Sequence, residues 1–138
     1  MMHRILLPIV LVVSVCGCER SPSDSVACEV PLPPAGSNEV LRTKVRVADN
    51  LEVIISNVYI PPGAQVPRHY HPGEEFLYVV QGSAVQVEEG QADRMLMAGD
   101  AYVIPPEAIH APYGGPDGGH AIVFRLHVDG KQERYPVP

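Results

Sequence analysis

Four side chains carry the chemistry this sequence offers: His69, His71, Glu75 and His110. His69 and His71 are two apart, so on a strand both rings point to one face. Pro72-Gly73-Glu74 then reverses the chain, and Glu75 opens the next strand aimed back at the same point. Two imidazoles and a carboxylate converging from adjacent strands make three legs of a metal site. His110 follows a second turn, Pro105-Pro106-Glu107, and is placed to supply a fourth. On an octahedral divalent ion, four protein ligands leave two adjacent open positions. These admit a bidentate substrate, or a substrate together with O2 or water. A metal so held polarises a carbonyl, acidifies an α-proton or passes electrons to O2. The ligand set suits one divalent transition metal, Fe, Mn, Ni, Cu or Zn, without choosing among them. A tetrahedral Zn that uses all four ligands is a closed, structural site.

The elements that must position these residues are short strands. Val40 to Val47 alternates a basic row, Arg42, Lys44 and Arg46, with the apolar-leaning row Leu41, Thr43, Val45 and Val47. That is the pattern of a half-buried strand with a solvated basic face. Leu51 to Ile60 is apolar on both sides and ends at Pro61-Pro62-Gly63. Phe76 to Val80 precedes a Gln81-Gly82 turn. Ala84 to Glu88, Arg94 to Met97 and Ala101 to Ile104 are further short strands, and Pro112 to Gly119 reads as a loop. His120 to Val128 alternates as a last strand. With 12 Gly and 15 Pro among 138 residues, turns dominate and no helical period is present. Such a chain is an all-β sandwich or barrel in one domain.

The spacing Gly63-x5-His69-x-His71-x3-Glu75-x6-Gly82 resembles the first motif of the cupin superfamily at every fixed position. Gly99-x5-Pro105-x-Glu107-x2-His110-x3-Gly114 resembles the second, with Glu107 where the family has Gly and Gly114 where it has Asn. Glu107 at a position that needs positive φ strains the turn while leaving His110 in place. The two motifs and their flanks cover about residues 40 to 129. The resemblance implies a double-stranded β-helix, or jelly-roll barrel, over residues 39–130. It implies His69, His71, Glu75 and His110 as metal ligands, and a homodimer. It also implies a wide range of activities, from dioxygenases and decarboxylases to sugar isomerases, lyases and non-catalytic binders. Fold and ligands select none of these.

Residues around the site narrow the choice only a little. Arg125 and His127 share one face of the last strand, while Ile122, Phe124, Leu126 and Val128 make an apolar face that looks like core. Arg125 is therefore expected to point outward; turned inward, it would bind a substrate carboxylate. Tyr59, Tyr78 and Tyr102 are candidate pocket hydroxyls that otherwise pack on strands. Tyr70, between two ligands, faces away from the metal. Glu107 is either a base at the mouth of the pocket or a solvated turn residue. Leu77 and Val79 share the face of Glu75 and predict a dry pocket, which suits O2 chemistry better than sugar binding. The leading expectation is a dioxygenase-like, metal-dependent enzyme on a small oxygenated molecule. The alternatives are a cupin isomerase or lyase, or a non-catalytic metal- or ligand-binding protein of the cell envelope.

Residues 1–18 have the form of a signal segment: a basic start at Arg4, then the apolar run Ile5 to Val15, too short to span a bilayer comfortably. The end of the run, Val15-Cys16-Gly17-Cys18, resembles a bacterial lipobox, with Cys18 lipidated. The protein is then expected on the periplasmic side of a bacterial membrane, held only by that lipid, or else secreted. Residues 19–38 are a Ser- and Pro-rich linker and 131–138 a C-terminal tail outside the fold. Three cysteines are too few for a disulfide framework, and Cys28 is left unpaired. The net charge of −6 argues against nucleic acid as a partner.

Overall fold

The structure, a computed structural model, describes residues 31–138. The signal segment and Cys16, Cys18 and Cys28 lie outside the described residues. Eight strands and no helix make up the domain: β1 (Gly36–Lys44), β2 (Leu51–Ile60), β3 (His69–Tyr70), β4 (Glu75–Gln86), β5 (Arg94–Met97), β6 (Ala101–Ile104), β7 (Tyr113–Val128) and β8 (Tyr135–Pro136). The main sheet runs β1-β2-β7-β4-β5, with β6 beside β5 on the same edge of β4, and a two-stranded sheet pairs β3 with β8. Every strand pair is antiparallel. Isolated bridges, among them Gln65 with Tyr113 and His69 with His110, link the loops to the rest. This is the all-β double-stranded β-helix expected from the motifs.

The period of two sorts side chains into an inside and an outside. Ile54, Ile60, Val79, Val85, Leu96, Ile104 and Val123 form the buried apolar core. Towards one end the inside becomes polar, with His69, His71, Glu75, His110, Arg125 and His127 all buried. The barrel thus has an apolar floor and a charged mouth.

Arg125 corrects the expected orientation of the last strand. It is 7% exposed, whereas Phe124 is 42% exposed. Register explains the inversion: Arg125 stands directly across from Glu75 and Phe124 directly across from Phe76. The uniformly apolar face is therefore the exterior, where Phe76, Tyr78, Val80, Val103 and Phe124 form an exposed row. The mixed face is interior because this end of the barrel holds charge. A uniformly apolar row identifies the core only when the interior contains no charged groups.

Four boundaries also differ. The Gln81-Gly82 turn is a bulge inside one continuous β4, where Gly82 takes φ 70 and the register with β7 shifts. The segment Pro112 to Gly119 is the first half of β7 from Tyr113 on, not a loop. Its glycines are there for close approach: a Cβ on Gly114 would lie 2.1 Å from the Pro61 carbonyl oxygen. The chain from Pro31 to Pro138 forms one compact unit, so β1 begins inside the expected linker and the C-terminal tail is part of the domain. Glu107 holds φ 62, the left-handed value a glycine would take there. The second turn keeps its shape at a cost of about 1–3 kcal/mol in local strain.

Candidate metal centre

His69 and Tyr70 form β3 and His71 follows it; both imidazoles are buried while Tyr70 turns away to stack on Tyr135. His110 is drawn beside them by a closely spaced bridge: His69 N donates to His110 O at 3.1 Å and His110 N donates to His69 O at 2.9 Å. Residues opposed in this way present their side chains on one face. One ligand atom from each of His69, His71 and His110 falls within 4.8 Å of the others, and all three residues are buried.

The ring nitrogens carry a further regularity. His69 Nδ1 donates to Pro67 O at 2.7 Å, His71 Nδ1 to Glu133 O at 2.6 Å and His110 Nδ1 to Ala108 O at 2.9 Å. A carbonyl can only accept, so each Nδ1 bears the proton and each Nε2 keeps its lone pair. Arg134 Nη2 lies 3.2 Å from His69 Nδ1, but that nitrogen already donates to Pro67 O, so Arg134 Nη2 donates to the same carbonyl, at 3.0 Å. With each Nδ1 committed to a carbonyl, the clustered imidazoles offer their Nε2 lone pairs, a donor set that suits a divalent metal. The residues present fit such an ion.

Burial first, then the charge of His110, push His69 down to about 3 from its usual 6.5. Burial also lowers His71, opposed by Glu75. Both rings are neutral at ordinary pH and bind metal without first losing a proton.

Glu75 sits at the edge of this group. Its Oε2 is 3.4 Å from His71 Nε2 and accepts from Arg125 Nε at 2.5 Å. Burial by itself would raise the Glu75 carboxyl. Arg125, by charge and hydrogen bond, and His71 together hold it below its usual 4.5. Arg125 Nη1 donates in turn to Glu133 Oε1 at 2.5 Å, and Glu133 Oε2 accepts from Arg42 Nη2 at 2.8 Å. The basic row of β1 is thus not a free face at Arg42, which also reaches Glu39 and Glu52.

The site opens into a cavity of about 360 Å³ lined by the three imidazoles, Glu75, Arg125, Glu133 and Arg134, with Val58, Ile60, Val66 and Val123 as apolar wall. Of the three candidate tyrosines only Tyr59 lines it. Tyr78 is exposed on the exterior, and Tyr102 donates to Glu88 Oε2 at 3.4 Å under the guanidinium of Arg94. Leu77 and Val79 line an adjoining space of about 70 Å³ that shares Val58, Ile60, Glu75 and Val123 with the cavity. The chamber over the imidazoles combines this apolar wall with the charged groups Glu75, Arg125, Glu133 and Arg134. Glu107 is an exposed turn residue.

The residues missed by sequence are Glu133 and Arg134. They lie in the eight-residue tail that β8 ties across β3, with Val137 N donating to Arg68 O at 3.0 Å. Nothing periodic marks so short a segment.

Proton linkage makes the metal-free protein acid-sensitive. His69 binds its proton more weakly folded (about 3) than unfolded (6.5), so its contribution is complete above 6.5 and is lost as pH falls towards 3. Glu75 acts in the same direction below 4.5. The urea midpoint of metal-free protein is expected to fall as pH is lowered through this window. His69→Asn should flatten its upper part. A midpoint independent of pH there would contradict the burial of neutral His69.

Residues 56–122 match the family described as cupin domain. Dimethylsulfoniopropionate lyase DddQ of Ruegeria pomeroyi is 39% identical over 54 residues, which are 39% of this chain and 27% of the lyase. The crystal structure of that lyase aligns with a TM-score of 0.55 at 28% identity, over 65% of this chain and 44% of the lyase chain. This chain therefore spans less than half the length of that relative. A cupin-like protein of Thermotoga maritima aligns with a TM-score of 0.56 at 25% identity, over 73% of this chain and 74% of its own. A Klebsiella pneumoniae protein with a double-stranded β-helix domain aligns with a TM-score of 0.56 at 21% identity, over 86% of this chain and 100% of its own, which speaks for the fold alone. The matched segment contains His69, His71, Glu75 and His110, and with the fold it supports placing the chain in the cupin superfamily: the described domain is a cupin-type double-stranded β-helix.

Proposed function

We propose that this protein is a metal-dependent enzyme of lyase type acting on a small molecule, with His69, His71 and His110 as metal ligands and Glu75 as the carboxylate beside them. The observation that carries this reading is the cluster of three buried imidazoles lining a cavity together with Glu75, Arg125 and Arg134. A divalent ion held there supplies a Lewis acid that stabilises negative charge on a substrate oxygen and acidifies the neighbouring C–H. The chain's own residues prepare for that. Backbone carbonyls hold the imidazoles in one tautomer. Arg125 keeps Glu75 ionised at the edge of the site. Val58, Ile60 and Val123 exclude water from one wall.

The dioxygenase-like expectation rested on a dry pocket. The cavity over the imidazoles has an apolar wall but also holds Glu75, Arg125, Glu133 and Arg134, groups that favour elimination on a polar substrate. The likeness to a lyase over 54 residues supports the same preference. We also infer that the exposed apolar row around Phe76 and Phe124 is covered by a second copy, and that Cys18 anchors the protein in the cell envelope; the sequence pattern supports the latter.

The test is to load the purified protein with Fe, Mn, Ni, Cu or Zn in turn and add dimethylsulfoniopropionate. Elimination moves the α-proton to a base and the C–S bonding electrons to sulfur, releasing dimethyl sulfide and acrylate. Release of dimethyl sulfide by one metal form is the expected result. O2 consumption without dimethyl sulfide would return the site to dioxygenase-like chemistry.

A further inference from the structure

The cavity over the imidazoles contains two guanidinium groups in different circumstances. Arg125 is committed to Glu75 and Glu133. Arg134, on the C-terminal arm, lines the same cavity but forms no ion pair with a described residue. Its anchor is Nη2, which donates to Pro67 O at 3.0 Å. Its Nε and Nη1 groups have no partner among the described residues. A guanidinium with two free donor groups at the wall of a cavity is placed to meet an anion. No carboxylate of the described chain meets it.

The surroundings define what that anion belongs to. Val58, Ile60, Val66 and Val123 offer only dispersion contacts, so the body of the ligand is apolar. A cavity of about 360 Å³ is at the small end of ligand sites. The committed carboxylates Glu75 and Glu133 would repel a second negative group on the same ligand.

We propose that Arg134 anchors the carboxylate of the substrate beside the imidazoles, so that the site selects small monocarboxylates. This rests on the reading of the imidazole trio as a reaction centre and adds its substrate class. Arg134 also explains why the tail is folded over the mouth: β8 pairing with β3 brings it there. A planar fork of donors suits a carboxylate better than the point charge of lysine does.

The experiment compares propionate with its neutral isostere propionamide, titrated by NMR into the full chain, both metal-free and zinc-loaded. Metal content is measured in parallel. Wild-type protein is expected to prefer propionate. Arg134→Gln should weaken propionate by about 10- to 100-fold, leave propionamide unchanged and keep the metal content of wild type. Arg134→Lys should recover part of the loss. Equal losses for both probes, an unchanged propionate affinity in R134Q, or no preference in wild type would each overturn the assignment. Failure of the metal reading is separable: it appears as absent metal while metal-free protein still discriminates propionate from propionamide.

Discussion

His110→Ala is expected to abolish stoichiometric metal binding while leaving a folded β domain. His110 contributes one of three Nε2 lone pairs, and its Nδ1 bond goes only to the local Ala108 carbonyl. Loss of a ligand should exceed the about 10- to 100-fold fall in affinity that follows loss of an outer partner. His71→Ala should do the same and in addition loosen the C-terminal arm, since His71 Nδ1 is bonded to Glu133 O. The apolar core around Ile54, Val79 and Leu96 is separate from these residues, so circular dichroism should still report strand. Full metal content in His110→Ala would mean that the ligands lie elsewhere.

Arg125→Met should have the largest effect on stability. The guanidinium side chain is 9% exposed and that of its partner Glu75 is 10% exposed. Removing it leaves Glu75 as an unpaired buried charge, which costs about 3–5 kcal/mol. Glu133 retains Arg42 and loses less. Urea unfolding at neutral pH measures the loss. A second change, Glu75→Gln in the Arg125→Met background, removes the stranded charge and should recover part of the stability. If Arg125→Met alone left the midpoint unchanged, Arg125 would have to be solvated and the interior reading of β7 would fail.

How the sequence foretold these features differs from one residue to the next. β2, β5 and β6 fall at the positions that alternation and Gly/Pro punctuation mark, because those signals are local. The HxH pair was legible for the same reason, since period two alone puts both rings on one face. Arg125 was not. Its orientation depends on register with β4, a long-range pairing, and the apolar row of β7 misled because it covers the exterior. Paired Arg and His on one face of a strand were the available signal. The first half of β7 was hidden by its glycines, which serve close approach to Pro61 and Ser83 rather than a turn. The arm carrying Glu133 and Arg134 has two paired residues in β8, too few for any pattern. Its role comes from where β3 receives it.

The most direct test of the central claim is the metal content of the full chain, purified without chelator or affinity-column nickel and then reconstituted with each of Fe, Mn, Ni, Cu and Zn. Convergence of His69, His71 and His110 predicts about one equivalent of bound metal per chain for at least one of them. No bound metal after reconstitution with any of the five would mean that the three imidazoles do not form a metal centre, and the lyase mechanism built on them would fall.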